Sequence, residues 1–154
     1  MAPHPVVVSR GLPVNRRYVV VVEDDLSVQQ SIGLVLRSAG YAIEDNVRFA
    51  ASGAETAAIF DKIPDRSPNV VLCDFRLRDG ESANDVIRLL DDRFAWQINK
   101  VPVIVFSAEI NPSVDTQRPC LRVVVKSGDS TVLVRQIDRL LEEASAPVAD
   151  DDDD

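Results

Sequence analysis

Histidine and cysteine are nearly missing from this chain. Its 154 residues hold one histidine, His4, and two cysteines, Cys73 and Cys120. Neither cysteine stands in a CxxC pair, so the ligand set of a zinc site is lacking. Basic residues are the scarcer charge, with Lys+Arg 17 against Asp+Glu 25 and a net of -8. Nucleic-acid affinity comes mostly from Lys and Arg against phosphate, so a nucleic-acid partner is not expected. No apolar run approaches the roughly 18 residues of a membrane span, so no membrane insertion is expected. The N-terminal stretch has Pro3, Pro5 and Pro13, and its only apolar run is Val6–Val8, too short for the h-region of a signal peptide. No GxGxxG follows the first apolar strand pattern, which argues against a dinucleotide cradle. These absences place the chain in the cytoplasm, with Cys73 and Cys120 read as reduced thiols. A single Cys73–Cys120 disulfide stays open at this level.

What is present suits one soluble domain with a full core. Residues 1–17 read as a flexible arm, in which Val6–Val8 can add an edge strand or fold back onto the body. Residues 18–145 read as the domain. Residues 146–154 read as a disordered acidic tail ending in Asp150–Asp154, which carries five of the net negative charges.

Within the domain, short β-branched runs alternate with amphipathic helical stretches. Residues 18–22 form a continuous apolar strand of the kind buried on both faces, and it stops at Glu23-Asp24-Asp25. Val28, Ile32, Val35, Leu36 and Ala39 then recur at helical spacing, with Gly40 as the stop. Residues 42–49 read as a weaker second strand containing Glu44, Asp45 and Asn46. Ser52 and Glu55 have capping-box spacing and open a helix to about Ile63. Residues 70–73 are a third buried strand ending at Asp74. A loop through Gly80 and a helix with Val86, Leu89, Leu90 and Phe94 follow. Phe94 and Trp96 are expected as partly buried cover for the sheet. Residues 101–106 are a fourth strand ending at Ser107, and residues 121–125 a fifth ending at Lys126. A last helix carries Leu133, Ile137, Leu140, Leu141 and Ala144, with Ser127, Asp129 or Ser130 as its cap. Between Ser107 and Leu121, Pro112 and Pro119 leave room for one or two helical turns at most. The expected fold is α/β: (βα)5, a doubly wound five-stranded parallel sheet of flavodoxin-like type with a short or irregular fourth helix.

Ligands of such sheets bind outside the carboxyl ends of the strands. There this chain delivers Glu23, Asp24, Asp25, Asp74, Ser107 and Lys126. Clustered carboxylates repel one another and need a cation, and an all-oxygen set suits Mg²⁺. An aspartate beside Mg²⁺ can attack phosphorus, and a lysine and a hydroxyl can stabilise the transferred phosphoryl oxygens.

Four motifs, each closing an apolar strand, resemble a response-regulator receiver domain over about residues 17–145. They are Val20-Val21-Val22-Glu23-Asp24-Asp25, the run from Val71 through Cys73-Asp74-Phe75-Arg76-Leu77-Arg78-Asp79-Gly80, Val103-Ile104-Val105-Phe106-Ser107-Ala108, and Val124-Val125-Lys126. The stretch from Asp74 to Gly80 is most similar to receivers attached to, or partnered with, hybrid sensor kinases. The resemblance implies that Asp74 is the phosphoacceptor and a metal ligand. It implies that Asp24 binds Mg²⁺ directly and Glu23 directly or through water, with the Arg76 backbone carbonyl completing the protein's share. Ser107 and Lys126 would hold the phosphoryl oxygens, and small Ala108 would leave room for them. Asp25 reads as an exposed start to the first helix. The implied partner is a histidine kinase or a histidine phosphotransfer protein. No output domain is expected, so the protein would signal through changed contacts.

Four features depart from that pattern. Ser127 follows Lys126 where proline is usual, and a cis bond without proline costs about 3–4 kcal/mol. Val123 stands three positions before Lys126, where an aromatic switch residue is usual. Arg76 lies two positions after Asp74, where it can reach over the site and alter phosphoryl lifetime. The poor fourth helix removes part of a common signalling surface. These departures carry the alternative of a pseudo-receiver, a protein-binding module with no phosphorylation switch. A phosphatase of the haloacid dehalogenase type shares Asp, Ser, Lys and Mg²⁺, but needs a second aspartate where Arg76 stands. Arg76 and Arg78 are read either as exposed or as neutralising the acidic rim.

Overall fold

The computed structural model describes residues 12–97, 99–109, 112, 114, 118–126 and 130–145. Val6–Val8, Ser127, Asp129 and Asp150–Asp154 lie outside the described residues. The Ser145 side chain does too.

Strand β1 (Val19–Val22) is four valines with no solvent exposure. Helix α1 (Leu26–Ser38) follows, capped by Asp25, whose carboxylate accepts from the Ser27 and Val28 N–H groups. Its C-terminus closes on Gly40, at φ 100°, which donates to Arg37 O while Tyr41 N donates to Leu36 O. This pair of bonds needs a left-handed residue at Gly40, the position read as the stop.

Residues 42–46 differ from expectation. They are not strand: Ile43–Asn46 is a single helical turn, and β2 is only Val47–Ala50. The physical reason is length. β1 offers four partners, Val19 to Val22, to pair with Val47 to Ala50. Residues 42–46 therefore have no ladder to join. Asn46 N instead donates to Ala42 O, and Glu44 pairs with Arg37 of α1.

Helix α2 (Gly53–Lys62) is capped by Ser52, whose hydroxyl accepts from Glu55 N. The Glu55 carboxylate reaches back to Ala51 N, one residue before the cap. Strand β3 (Val70–Asp74), helix α3 (Ala83–Arg93) and strand β4 (Val103–Ser107) follow. Then come β5 (Leu121–Val125) and α4 (Thr131–Ser145).

All pairings within the sheet are parallel, and the strand order is β2-β1-β3-β4-β5. Parallel neighbours need crossovers, and these helices cover both faces. Phe60 of α2 and Val86, Ile87 and Leu90 of α3 pack with Val20, Val22, Val71 and Val103 on one face. Ile32 and Leu36 of α1 and Leu133, Ile137 and Leu140 of α4 pack with Val19, Val21, Leu72 and Ile104 on the other.

Among the described residues no helix lies between β4 and β5, and β5 is only half-buried. Arg118 secures this crossover. Its buried guanidinium donates to Asp91 of α3 at 2.6 Å and to Val101 O at 2.9 Å. Phe94 is buried as expected, but Trp96 is 59% exposed and meets Phe94 edge-on, so it covers no sheet. Cys73 is a buried free thiol and Cys120 is also free. No described helix is long and apolar enough to cross a membrane.

Candidate functional site

Strand register assembles the site. Val22 pairs with Cys73, Asp74 with Phe106, and Ser107 with Val125. The residues at or just past these ends, Glu23, Asp24, Asp74, Ser107 and Lys126, therefore meet at the carboxyl edge of the sheet. The ladder is extended there by Glu23 N to Ala50 O at 2.9 Å and Lys126 N to Ser107 O at 2.6 Å. Asp25 stays outside as the exposed helix cap; bonds from the Ser27 hydroxyl and backbone hold its carboxyl below the ordinary aspartate range.

Carboxylate oxygens of Glu23, Asp24 and Asp74 all lie within 4.8 Å of one another. Their side chains are 1%, 21% and 9% exposed, so Asp24 is the outermost of the three. Lys126 Nζ stands 3.1 Å from Asp74 Oδ2 and 3.6 Å from Glu23 Oε1. Burial works against the ammonium, but the Asp74 and Glu23 carboxylates outweigh it and hold its pKa above the ordinary lysine value. Glu23 Oε2 accepts from Asp25 N at 3.1 Å, whereas Glu23 Oε1 is buried with no hydrogen-bond partner.

Burial pushes the Glu23 carboxyl up to about 7; the Asp25 N–H opposes this and the Asp74 charge adds to it. Without a bound cation the folded protein thus holds a proton on Glu23 that the unfolded chain releases near the ordinary glutamate pKa of about 4.3. Native protein binds more protons across that window, so metal-free stability falls as pH rises through roughly 5 to 7. A cation held by these carboxylates would displace the proton. Mg²⁺ affinity is accordingly expected to rise with pH over this interval. Calorimetry in buffers of different ionisation enthalpy would register the released proton, and a pH-independent affinity would contradict the assignment.

The donor set fits Mg²⁺, which takes oxygen ligands, binds through a few carboxylates and keeps several waters. The sharpest sign is the charge balance: three converging carboxylates, two of them buried, face the one Lys126 ammonium, and a divalent cation would offset the excess.

Ser107 Oγ accepts from Glu109 N at 2.9 Å, so the hydroxyl is positioned by its own turn. The two arginines after Asp74 separate. Arg76 is exposed and pairs with Glu109, and being an arginine it leaves no second acid where a haloacid dehalogenase needs one. Arg78 does lie on the acidic rim: Nε is 3.3 Å from Asp24 Oδ2, and Nη2 donates to Asp24 O at 3.2 Å. Glu109 and Arg78 were the contacts that spacing alone did not supply. Glu109 stands two residues after Ser107, and that offset was the available signal. Val123 is half-buried and packs against the core with Leu121.

No protein-family model matches the sequence, and comparison with curated proteins finds no match. Solved structures do match. Vibrio cholerae chemotaxis protein CheY4 superposes with a TM-score of 0.65 at 20% identity, covering 80% of this chain and 98% of that one. This chain has the receiver-domain fold. A response regulator receiver protein from Sinorhizobium medicae gives a TM-score of 0.65 at 16% identity, covering 87% of this chain and 100% of that one. The N-terminal domain of a response regulator/sensory box/GGDEF protein from Carboxydothermus hydrogenoformans gives 0.64 at 22% identity, over 82% and 95%. At these identities the likeness speaks to the receiver fold, and the chemistry rests on the side chains described above.

Proposed function

We propose that the chain is a phosphoacceptor receiver of a two-component phosphorelay. One observation carries the reading: three carboxylates converge at the carboxyl edge of the sheet, with Lys126 against two of them. An Asp74 carboxylate oxygen would attack the phosphorus of a histidine kinase or histidine phosphotransfer protein. A P–O bond to Asp74 forms as the P–N bond to the donor imidazole breaks, and the imidazole leaves with the electron pair. Glu23, Asp24, Asp74 and the Arg76 carbonyl would hold Mg²⁺, which when bound offsets charge on the phosphoryl oxygens. Lys126, already on Asp74, is placed to transfer its ammonium to a phosphoryl oxygen. Ser107 would donate its hydroxyl to another. These changed contacts at the ends of β4 and β5 would be the signal to a partner protein.

The absence of an aromatic at Val123 favours a second reading, a binding module whose partner contacts ignore phosphorylation. Acetyl phosphate separates the two when applied with Mg²⁺. Phosphoryl uptake that EDTA abolishes supports the phosphoacceptor. A chain that stays unmodified at saturating Mg²⁺ supports the binding module.

A further inference from the structure

We propose that Arg78 is a built-in counter-ion of Asp24 that competes with the divalent cation, and so sets how much Mg²⁺ the site requires. This rests on the phosphoacceptor reading. Arg78 grips Asp24 at two points, through Nε to the carboxylate at 3.3 Å and through Nη2 to the backbone carbonyl at 3.2 Å. Asp24 is the most accessible of the three carboxylates, so it is the oxygen that an arriving hydrated cation meets first. An Mg²⁺ ion seated on the Asp24 carboxylate and a guanidinium held against the same carboxylate repel each other. Entry of the ion therefore releases Arg78, still charged, to solvent.

The loop that presents Arg78 is braced. Arg78–Gly80 is a 3₁₀ turn with Asp79 at φ 60° and Gly80 at φ 79°. It is closed by Leu77 N donating to Glu81 O at 2.9 Å. The Glu81 carboxylate accepts from Gly53 N at 3.0 Å, at the start of α2. A Cβ on Gly53 would fall 2.6 Å from Glu81 Oε2, so a larger residue there would make the Glu81 carboxylate shift. Arg76, two residues earlier, touches Glu109 instead. The effect is thus assigned to Arg78 and not to the basic loop as a whole.

The pair is exposed, with Arg78 71% accessible, and exposed pairs are weak. Arg78→Gln is therefore expected to tighten Mg²⁺ binding by roughly two- to fivefold. Isothermal titration of Mg²⁺ into the full chain at fixed ionic strength reads this directly. Arg78→Lys, which keeps the charge but loses the fork, is expected to tighten binding by a smaller factor. Arg88→Gln, which removes an exposed charge paired with Asp85 on α3, is expected to leave it unchanged. Unchanged or weaker binding by Arg78→Gln overturns the proposal. So does equal tightening by Arg88→Gln, which would assign the effect to net charge, or wild-type affinity in Arg78→Lys, which would remove the two-point clamp. A wild-type chain that binds no Mg²⁺ overturns the phosphoacceptor reading itself, and the two failures are thereby distinct.

Discussion

Asp24→Asn is expected to weaken Mg²⁺ binding by about 10- to 100-fold, the equivalent of losing one hydrogen-bonding contact to a charged group. The substitution keeps the shape and one carbonyl oxygen but removes the charge. Asp24 is one of three carboxylates within 4.8 Å of one another, and Glu23 and Asp74 are both buried behind it. The remaining pair shares Lys126, so the site loses its most accessible negative charge and keeps its resident positive one. The fold should tolerate the change, because the Asp24 side chain contacts only the exposed Arg78 among the described ion pairs. Calorimetric Mg²⁺ titration checks it, with the urea midpoint as control. A loss smaller than roughly threefold would remove Asp24 from the metal shell.

Lys126→Ala acts on stability more than on affinity. In metal-free protein its ammonium is the cation in contact with both Asp74 and Glu23. Its removal leaves two buried acids facing each other. Breaking a fully buried pair costs about 3–5 kcal/mol. Lys126 is about one-third accessible, so solvent screening lowers the expectation to roughly 1–3 kcal/mol. Urea unfolding in EDTA should show this loss. Saturating Mg²⁺ should recover most of it, since the ion binds folded protein and replaces the missing charge. The Glu23 carboxyl should also move further above its already raised value near 7. An equal loss with and without Mg²⁺ would mean that Lys126 supports the fold through packing alone.

Much of this site was legible because parallel strands buried on both faces cannot carry polar residues internally. Each valine-rich run therefore announces its carboxyl end by the first charged or hydroxyl residue after it. Glu23, Asp74 and Ser107 stand out that way, Lys126 closes the half-buried β5 although Arg122 lies inside that strand, and strand register brings the four together. Asp25 was legible as a helix cap for the equally local reason that its carboxylate serves the two N–H groups just after it. Contacts set by loop geometry were not legible. Whether Arg76 or Arg78 faces the acids depends on the 3₁₀ turn and the left-handed Asp79 and Gly80, which side-chain spacing does not encode. Ile43–Asn46 reads as strand from sequence because its composition does not reveal that β1 runs out of partners. Arg118 was missed because its burial depends on Asp91 and Val101, distant in sequence.

The central claim is that Asp74 receives the phosphoryl group. The most direct measurement is intact-mass and peptide-mapping analysis after incubation with acetyl phosphate and Mg²⁺, run on wild type and Asp74→Asn. One phosphoryl group per chain is expected, confined to the peptide that contains Asp74 and absent from Asp74→Asn. Equal uptake by the variant, or a phosphoryl group mapped to any other residue, would contradict the account.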